Sequence, residues 1–310
     1  MNNQTKCGFV AIVGLPNAGK STLTNALVGA KVSIATRRVQ TTRHKIRGII
    51  CVDKAQLVFI DTPGIFDPTK NLEKAMVKAA LSSIYDVDCV LVVVDTPLLK
   101  HTKAEVDTLI TRVQNAKIPF AIVLNKIDAL NTAQDVLPLI AYYADTYQAT
   151  HVFPVSARKE DNVENLKKTL IEMIPEGPWM YPEDQLSDQP EQLMAEEITR
   201  KYLIEQLGQE LPYQLMVQTE KFVRRTKKIK TATVSDITIH QNIVVGREPH
   251  KKMVIGSKGE KLKGLGLIIR RELKNFLGCE VHLFLNVKVD PKWRDKRDYY
   301  DYLGLDFPAN

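Results

Sequence analysis

The chain is poor in the features that staple or anchor a protein. Only four cysteines, Cys7, Cys51, Cys89 and Cys279, stand among 310 residues, and none forms a Cys-x-x-Cys pair. Such spacing argues against a disulfide framework and suggests no zinc site; reduced core or boundary thiols of a cytoplasmic protein are the expectation. Long apolar runs are lacking too. Cys89–Val94 is among the longest, far short of the roughly 20 residues a membrane-spanning helix needs. Asn2–Lys6 is polar and leads straight into a strand-like stretch, which is not a secretory leader pattern. There are no internal repeats and no low-complexity tract. With 44% hydrophobic and 25% charged residues, the composition is that of an ordinary globular protein, and the length suits about two domains.

What is present is unevenly placed charge. The net charge is +7, yet Glu220–Val289 alone holds 16 Lys and Arg against 6 Asp and Glu. The remainder is therefore slightly acidic. A basic half of this kind is the electrostatic footprint of a polyanionic partner.

Four short motifs follow one another in the other half. Cys7–Val13 reads as a buried strand and runs into Gly14-Leu15-Pro16-Asn17-Ala18-Gly19-Lys20-Ser21, followed by helical spacing from Thr22. Glycines in a strand-to-helix turn let backbone N–H groups curl around phosphates at a helix N-terminus. Lys20 is expected to reach the terminal phosphates and the Ser21 hydroxyl to ligate Mg²⁺. Gln56–Ile60 is a strand ending at Asp61-Thr62-Pro63-Gly64; Asp61 can hold the Mg²⁺ through water, and Gly64 offers a backbone N–H to the terminal phosphate. Phe120–Leu124 ends in Asn125-Lys126-Ile127-Asp128. One carboxylate, Asp128, can accept both N1–H and the 2-amino group of guanine, whereas adenine would leave it unpaired. Asn125 is placed to bond near N7, and the stem of Lys126 to lie over the ring. After a strand at Val152–Val155, Ser156-Ala157 is expected to give a backbone N–H to the guanine carbonyl. Between cradle and Asp61 lies a polar loop, Lys31–His44, with Thr41 and Thr42. One of these threonines should complete the Mg²⁺ shell; spacing does not choose between them, and Thr42 is preferred. Together these motifs read as a guanine-nucleotide switch binding GTP or GDP with Mg²⁺.

One absence bears on mechanism. Many such switches place a Gln directly after Asp-x-x-Gly to orient the attacking water; here that residue is Ile65. Hydrolysis must rely on backbone groups, a bound ion or a partner, and slow turnover is expected of the isolated protein. No catalytic side chain is assigned beyond the support that Lys20, Thr42 and Gly64 give the terminal phosphate.

Residues 1–175 alternate strand and helix, with strands at 7–13, 45–52, 56–61, 88–95, 119–125 and 151–155 and helices at 20–29, 71–83, 102–116, 132–146 and 162–174. This predicts an α/β domain, a mostly parallel sheet with helices on both faces. A Pro-rich, acidic stretch at 176–190 reads as a linker. From 191 to 290 the order is helix (191–208), strand (213–223), strand (231–245), helix, Gly256-Ser257-Lys258-Gly259, helix, strand (281–289). Val254-Ile255-Gly-x-x-Gly in that order is the signature of an α+β, type II KH domain, which binds single-stranded RNA. Glycines let the phosphodiester backbone approach, and Lys258 with the helix N-terminus supplies positive potential. Lys251, Lys252, Ile255, Gly256, Ser257, Lys258, Gly259, Lys261, Lys263 and Arg270 are the expected RNA contacts. In the tail, 291–310, Trp293, Tyr299, Tyr300 and Tyr302 interleave with bases; stacking on RNA and packing back on the domain are both open.

From about residue 6 onward the chain resembles the Era family of bacterial ribosome-assembly GTPases. The match is carried by Gly14–Ser21, Gln40–His44, Asp61–Gly64, Asn125–Asp128, Ser156-Ala157, Pro182-Glu183-Asp184 and Val254–Gly259. Arg158 stands where such proteins commonly have Lys; the ring contact there is from backbone, so little hangs on it. The resemblance implies a monomer that binds small-subunit ribosomal RNA near its 3′ end, assists assembly of the small ribosomal subunit, and lets GTP control RNA affinity. It implies peripheral contact with the inner membrane from the cytoplasmic side. Relatives with Asn at the position of Asn17 and no glutamine after Asp-x-x-Gly can bind K⁺ beside the phosphates, so K⁺ is a further candidate cofactor. Rival readings are an RNA scaffold with a merely structural nucleotide site, a tRNA-modification GTPase and a tandem-GTPase ribosome factor. The second wants an appended folate-binding or cysteine-bearing module, and the third a second cradle; neither is in the sequence.

Overall fold

Strand β1 (Lys6–Gly14) is the middle of the larger sheet because every residue from Val10 to Gly14 is buried and apolar or glycine. A computed structural model describes residues 4–34, 45–149, 151–207, 215–229 and 232–307. Around β1 lie β2 (Ile46–Val52), β3 (Ala55–Asp61), β4 (Cys89–Asp95), β5 (Phe120–Asn125) and β6 (His151–Val155), in the order β2-β3-β1-β4-β5-β6. Only β2 is antiparallel to its neighbour. Side chains alternate between two cores, as a strand with both faces covered requires. Val10, Ile12, Leu57, Phe59, Leu91 and Val93 pack with Leu23 and Leu27 of α1 (Lys20–Val28) and Leu166 and Leu170 of α5 (Val163–Met173). Ala11, Val13, Val90, Val92, Ile122 and Leu124 pack on the opposite face against α2 (Asn71–Ser82), α3 (Leu99–Asn115) and α4 (Leu137–Tyr147).

Helix α4 starts at Leu137, later than the expected 132. Thr132 and Asp135 close a capping box on a short 3₁₀ turn, and Pro138 then opens the helix proper, where its missing N–H costs nothing. The parallel strands bring Gly14, Asp61, Asp95 and Asn125 to one edge of the sheet: Ile12 pairs with Asp61, Gly14 with Val93, and Asp95 with Asn125. This carboxyl edge is where an open α/β sheet binds ligands.

A second unit, Gln189–Tyr299, is built from α6 (Glu191–Gln206), β7 (Leu215–Ile229), β8 (Ala232–Val245), α7 (Glu248–Ile255), α8 (Glu260–Leu277) and β9 (Glu280–Val289). β7 and β8 form an antiparallel hairpin, and β9 joins β8 in parallel. Ile237, Ile239 and Ile243 of the sheet and Leu265, Ile269 and Leu273 of α8 are buried; Ile268, on the same helical spacing, is exposed. β7 continues six residues beyond the expected 223, because the Arg- and Lys-rich end still pairs residue for residue with β8. A bulge between Thr219 and Lys221 interrupts that ladder. There the buried Glu196 of α6 accepts the Thr219 N–H at 2.7 Å, and Thr199 donates to Gln241, which donates to Thr219 Oγ1. The side chains satisfy what the bulge leaves unpaired.

Two expected boundaries are corrected. The stretch 176–190 is not a free linker: as far as Asp188 it belongs to the first unit and is hydrogen-bonded along it. Gly177 N–H donates to Thr5 O at 2.9 Å, and Ile49 N–H donates to Leu186 O at 2.9 Å. Nor is 291–310 a separate tail. Trp293 is 2% exposed and Tyr300 1%, with Tyr299 edge-on to the Trp293 ring, so packing explains these aromatics. From Tyr300 the described residues belong to the first unit, where Lys78 pairs with Asp306 at 2.8 Å. Replacing Trp293 by Ala should therefore cost about 3–5 kcal/mol in urea unfolding while leaving the affinity of the folded protein for single-stranded RNA within about twofold. The reverse pattern would make it a stacking residue.

Candidate nucleotide and RNA sites

The loop from Gly14 to Lys20 is shaped by close approaches that a side chain would block. A Cβ on Gly14 would lie 2.4 Å from Val93 O, and one on Gly19 would lie 2.2 Å from Asn125 Nδ2. Gly19 (φ 95°) and the exposed Asn17 (φ 63°) are both left-handed, a conformation Gly and Asn adopt most readily. Ala18 is buried, and Gly19 caps α1 without any side-chain bond, which leaves the helix start open to an anion. Ser21 and Thr22, in the first turn of α1, are half-buried. Lys20 is 7% exposed and donates to Gly14 O at 3.2 Å and Leu15 O at 3.0 Å. Burial pushes its ammonium down to about 8, against an opposing pull from Asp61. An incoming polyphosphate would raise that proton affinity again, since a nearby opposite charge favours the charged form.

Asp61, wholly buried at the end of β3, accepts from Ser33 Oγ at 2.6 Å. Ser33 is placed by Asn25 of α1, whose side chain takes the N–H groups of Val32 and Ser33 and donates to Ser33 O. Thr62 donates to Ile12 O at 2.8 Å and Ile65 N–H to Gly14 O at 3.0 Å, fastening the segment to the cradle. A Cβ on Gly64 would lie 2.9 Å from Pro16. The Ile65 side chain turns away into the core between the sheet and α2. Asp61 and the Ser21 hydroxyl are the hard oxygen donors that suit Mg²⁺. Thr41 and Thr42 lie outside the described residues.

Asn125 joins three segments. Its Nδ2 donates to Ala18 O at 2.8 Å, and its Oδ1 accepts the Ala157 N–H at 3.0 Å. Ser156 N–H is given to Asp161 O at 3.2 Å. The N–H groups of Ser156 and Ala157, one of which is expected to meet the guanine carbonyl, are thus both bonded within the protein, and such a contact has to share one of those protons. Ser156 Oγ donates to Asp128 Oδ1 at 2.7 Å, fixing the carboxylate expected to read the base. Lys126, left-handed at φ 66°, forms an ion pair with the buried Asp95 at the end of β4. Asp95, Ser33 and Asn25 escaped the sequence reading. Only Asp95 had a legible signal, an acid closing an apolar strand as Asp61 does.

In the second unit, α7 ends at Gly256 (φ 75°, ψ −178°), and Lys258 (φ 48°) and Gly259 (φ 80°) are left-handed. A Cβ on Gly256 would lie 2.5 Å from Lys261 Cβ, so the sharp turn between helices requires glycine there. Ser257, Lys258, Lys261, Lys263 and Arg270 are exposed along the turn and α8, with Lys252 exposed on α7; Lys251, Ile255 and Gly259 are half-buried beside them.

These two sites have counterparts in known proteins. Residues 9–126 match a family described as 50S ribosome-binding GTPase, and residues 224–294 match the KH domain. The chain is similar to GTPase Era of Bradyrhizobium diazoefficiens, 43% identical over 98% of this chain and 96% of that protein. It is 45% identical to GTPase Era of Dinoroseobacter shibae over the same shares. Its structure resembles that of Era in complex with MgGDPNP and nucleotides 1506–1542 of 16S ribosomal RNA, with TM-score 0.87, 36% identity, and 97% and 99% of the two chains covered. A variant of Aquifex aeolicus Era bound to GDP·AlF₄⁻ aligns with TM-score 0.88 and the same identity and coverage.

Two outcomes test this geometry. The folded Lys20 binds its proton less tightly than the unfolded one, whose ordinary value is near 10.5. Between about pH 8 and 10.5 the unfolded state therefore holds more protons, and stability contributed through Lys20 rises with pH. Nucleotide-free Lys20→Met protein should be more stable than the parent at pH 7, by up to roughly 3 kcal/mol, with the difference closing as the pH climbs through that window in urea unfolding. Asp95→Asn removes the charge that holds Lys126. Titration calorimetry should find GTP and GDP both bound about tenfold more weakly, with a loss confined to one of them counting against a role at the base.

Proposed function

The chain belongs to the Era family of GTPases, and on that premise we propose that it is a switch that binds small-subunit ribosomal RNA near its 3′ end and assists assembly of the small ribosomal subunit. The observation that carries this is one chain holding both a guanine-nucleotide cradle and a Gly-x-x-Gly turn between helices, with similarity to Era proteins across nearly its full length. The family description that speaks of the 50S particle applies to a match ending at Lys126, before any RNA-binding element begins. The small-subunit reading draws instead on the relative solved with a 16S ribosomal RNA segment.

GTP enters with its phosphates on the N–H groups of the Gly14–Ser21 loop, near the Lys20 ammonium. Asp128 selects guanine over adenine, held by Ser156, while Asn125 ties that loop to the cradle. Ser21, Asp61 and the threonine at 42 or 41 would hold Mg²⁺, which would neutralise charge on the phosphate oxygens. Gly64 is placed to offer its N–H to the terminal phosphate. Ile65 sits in the core and orients no water, which favours slow intrinsic hydrolysis. Asn17, exposed at the cradle, is the side chain proposed to hold K⁺ there. In the second unit, RNA backbone lies against Gly256–Gly259, steered by Lys251, Lys252, Lys258, Lys261, Lys263 and Arg270, with bases on the apolar side of the turn at Ile255. Nucleotide state sets RNA affinity by ordering the segments around Thr42 and Gly64. We assign the protein to the cytoplasm as a monomer. No helix among the described residues is long and apolar enough to cross a membrane, and the peripheral membrane contact rests on resemblance alone.

Crosslinking to total RNA with a GTP analogue and Mg²⁺ present, followed by sequencing, tests the assignment. Crosslinks should concentrate at the 3′ end of small-subunit ribosomal RNA and fall about tenfold or more in a Lys258→Glu, Lys261→Glu double variant, since each neutralised phosphate contact weakens binding. Crosslinks mainly on transfer RNA would overturn it.

A further inference from the structure

We propose that Gln56 is a positioning residue that latches the strap 176–188 to the sheet and so makes β2 and β3 the carriers of nucleotide state to the RNA-binding unit. This rests on the coupled-switch reading above. Gln56 sits at the start of β3, the strand that ends in Asp61, and its side chain is entirely buried. Every hydrogen-bonding position of its carboxamide is taken. Oε1 accepts the N–H groups of Met180 and Tyr181 at 2.8 and 3.0 Å, and Cys7 Sγ lies 3.6 Å away on the same oxygen. Nε2 donates to Tyr181 O at 2.8 Å and faces Cys51 Sγ at 3.3 Å. A primary amide is the side chain that can serve two donors and an acceptor of a passing backbone together. A buried glutamine with no part in the nucleotide site is otherwise a costly choice in a strand of Leu, Val, Phe and Ile.

The other end of the strap is tied to β2. Leu186 O accepts the Ile49 N–H at 2.9 Å, Ser187 Oγ donates to Arg47 O at 2.8 Å, and Arg47 pairs with Asp188 at 2.6 Å. β2 and β3 are paired from Ile46–Asp61 to Val52–Ala55. This one hairpin therefore carries Asp61 at its upper end, emerges there from the segment holding Thr41 and Thr42, and holds the strap along its length. Past Asp188 only Gln189 and Pro190 precede α6, the first helix of the RNA-binding unit. A shift of the hairpin reaches that helix through two residues, whereas an unlatched strap of a dozen residues would absorb it.

The test measures the affinity of an RNA oligonucleotide copied from the 3′ end of small-subunit ribosomal RNA, with Mg·GTP analogue and with GDP. It uses the full-length parent, the variant Gln56→Glu and the double variant Arg47→Ala, Ser187→Ala. Gln56→Glu removes the donor to Tyr181 O and adds charge against it; the double variant removes both side-chain ties at the far end, at partly exposed sites that leave the core intact, and keeps the Ile49–Leu186 backbone bond there. The parent should bind RNA with affinities differing about fivefold or more between the two nucleotides. In both variants that ratio should fall to within twofold of one, with affinity for the GTP analogue unchanged. A parent ratio far from one that both variants keep overturns the latch alone. A parent ratio of one brings down the coupled-switch reading and the latch with it. If Gln56→Glu fails to fold, the ratio of the Arg47→Ala, Ser187→Ala double variant decides.

Discussion

The first unit is organised around one carboxamide. Asn125 holds Ala18 of the cradle with its amide nitrogen and Ala157 of the loop after β6 with its oxygen. Its own backbone is in register with Asp95 on one side and Val155 on the other. The Gly14–Lys20 loop, the loop after β6 and the sheet thus meet at one buried, doubly hydrogen-bonded side chain. Gly19 is glycine because this amide occupies the space its Cβ would need. The loops proposed to hold the phosphates and the base are thereby tied to one side chain, which is what a pocket gripping a phosphate chain at one end and a ring at the other requires.

The second constraint is electrostatic. Lys20 is buried at a cost that lowers its proton affinity, with Asp61 near enough to oppose the effect. Asp61 in turn is wholly buried and aligned by Ser33 and, behind it, Asn25. Lys20 and Asp61 are charges held at a desolvation cost that a phosphate and a divalent cation would offset. The Asp95–Lys126 pair places a second desolvated carboxylate at the same edge of the sheet.

What could be read from the sequence was what the chemistry demands locally. A phosphate loop needs glycines at fixed spacing between strand and helix, and guanine needs an acid after a strand. The motifs were therefore legible, as were the alternation of elements and the Gly-x-x-Gly turn. What could not be read depends on partners distant along the chain. Asn25 and Ser33 look like ordinary polar residues until the fold sets them beside Asp61. Gln56 reads as the polar first residue of a strand, and its role appears only with Met180 and Tyr181 alongside. The stretch 176–190 has the composition of a linker because its backbone, more than its side chains, makes the contacts. Trp293 and Tyr300 sit among bases in the sequence, and local pattern does not separate a buried aromatic from one offered to RNA.

The strap has one more effect, on the sheet's border. β2 is an outermost strand, and outermost strands present unused backbone groups to other chains. Leu186 and Ser187 lie against it, taking the Ile49 N–H and bridging to Gly48. At the opposite border β6 is five residues long and contains Pro154, which has no proton to offer a neighbour. Both rims are thereby made poor templates for strand addition, the one by a covering segment and the other by brevity and a missing N–H.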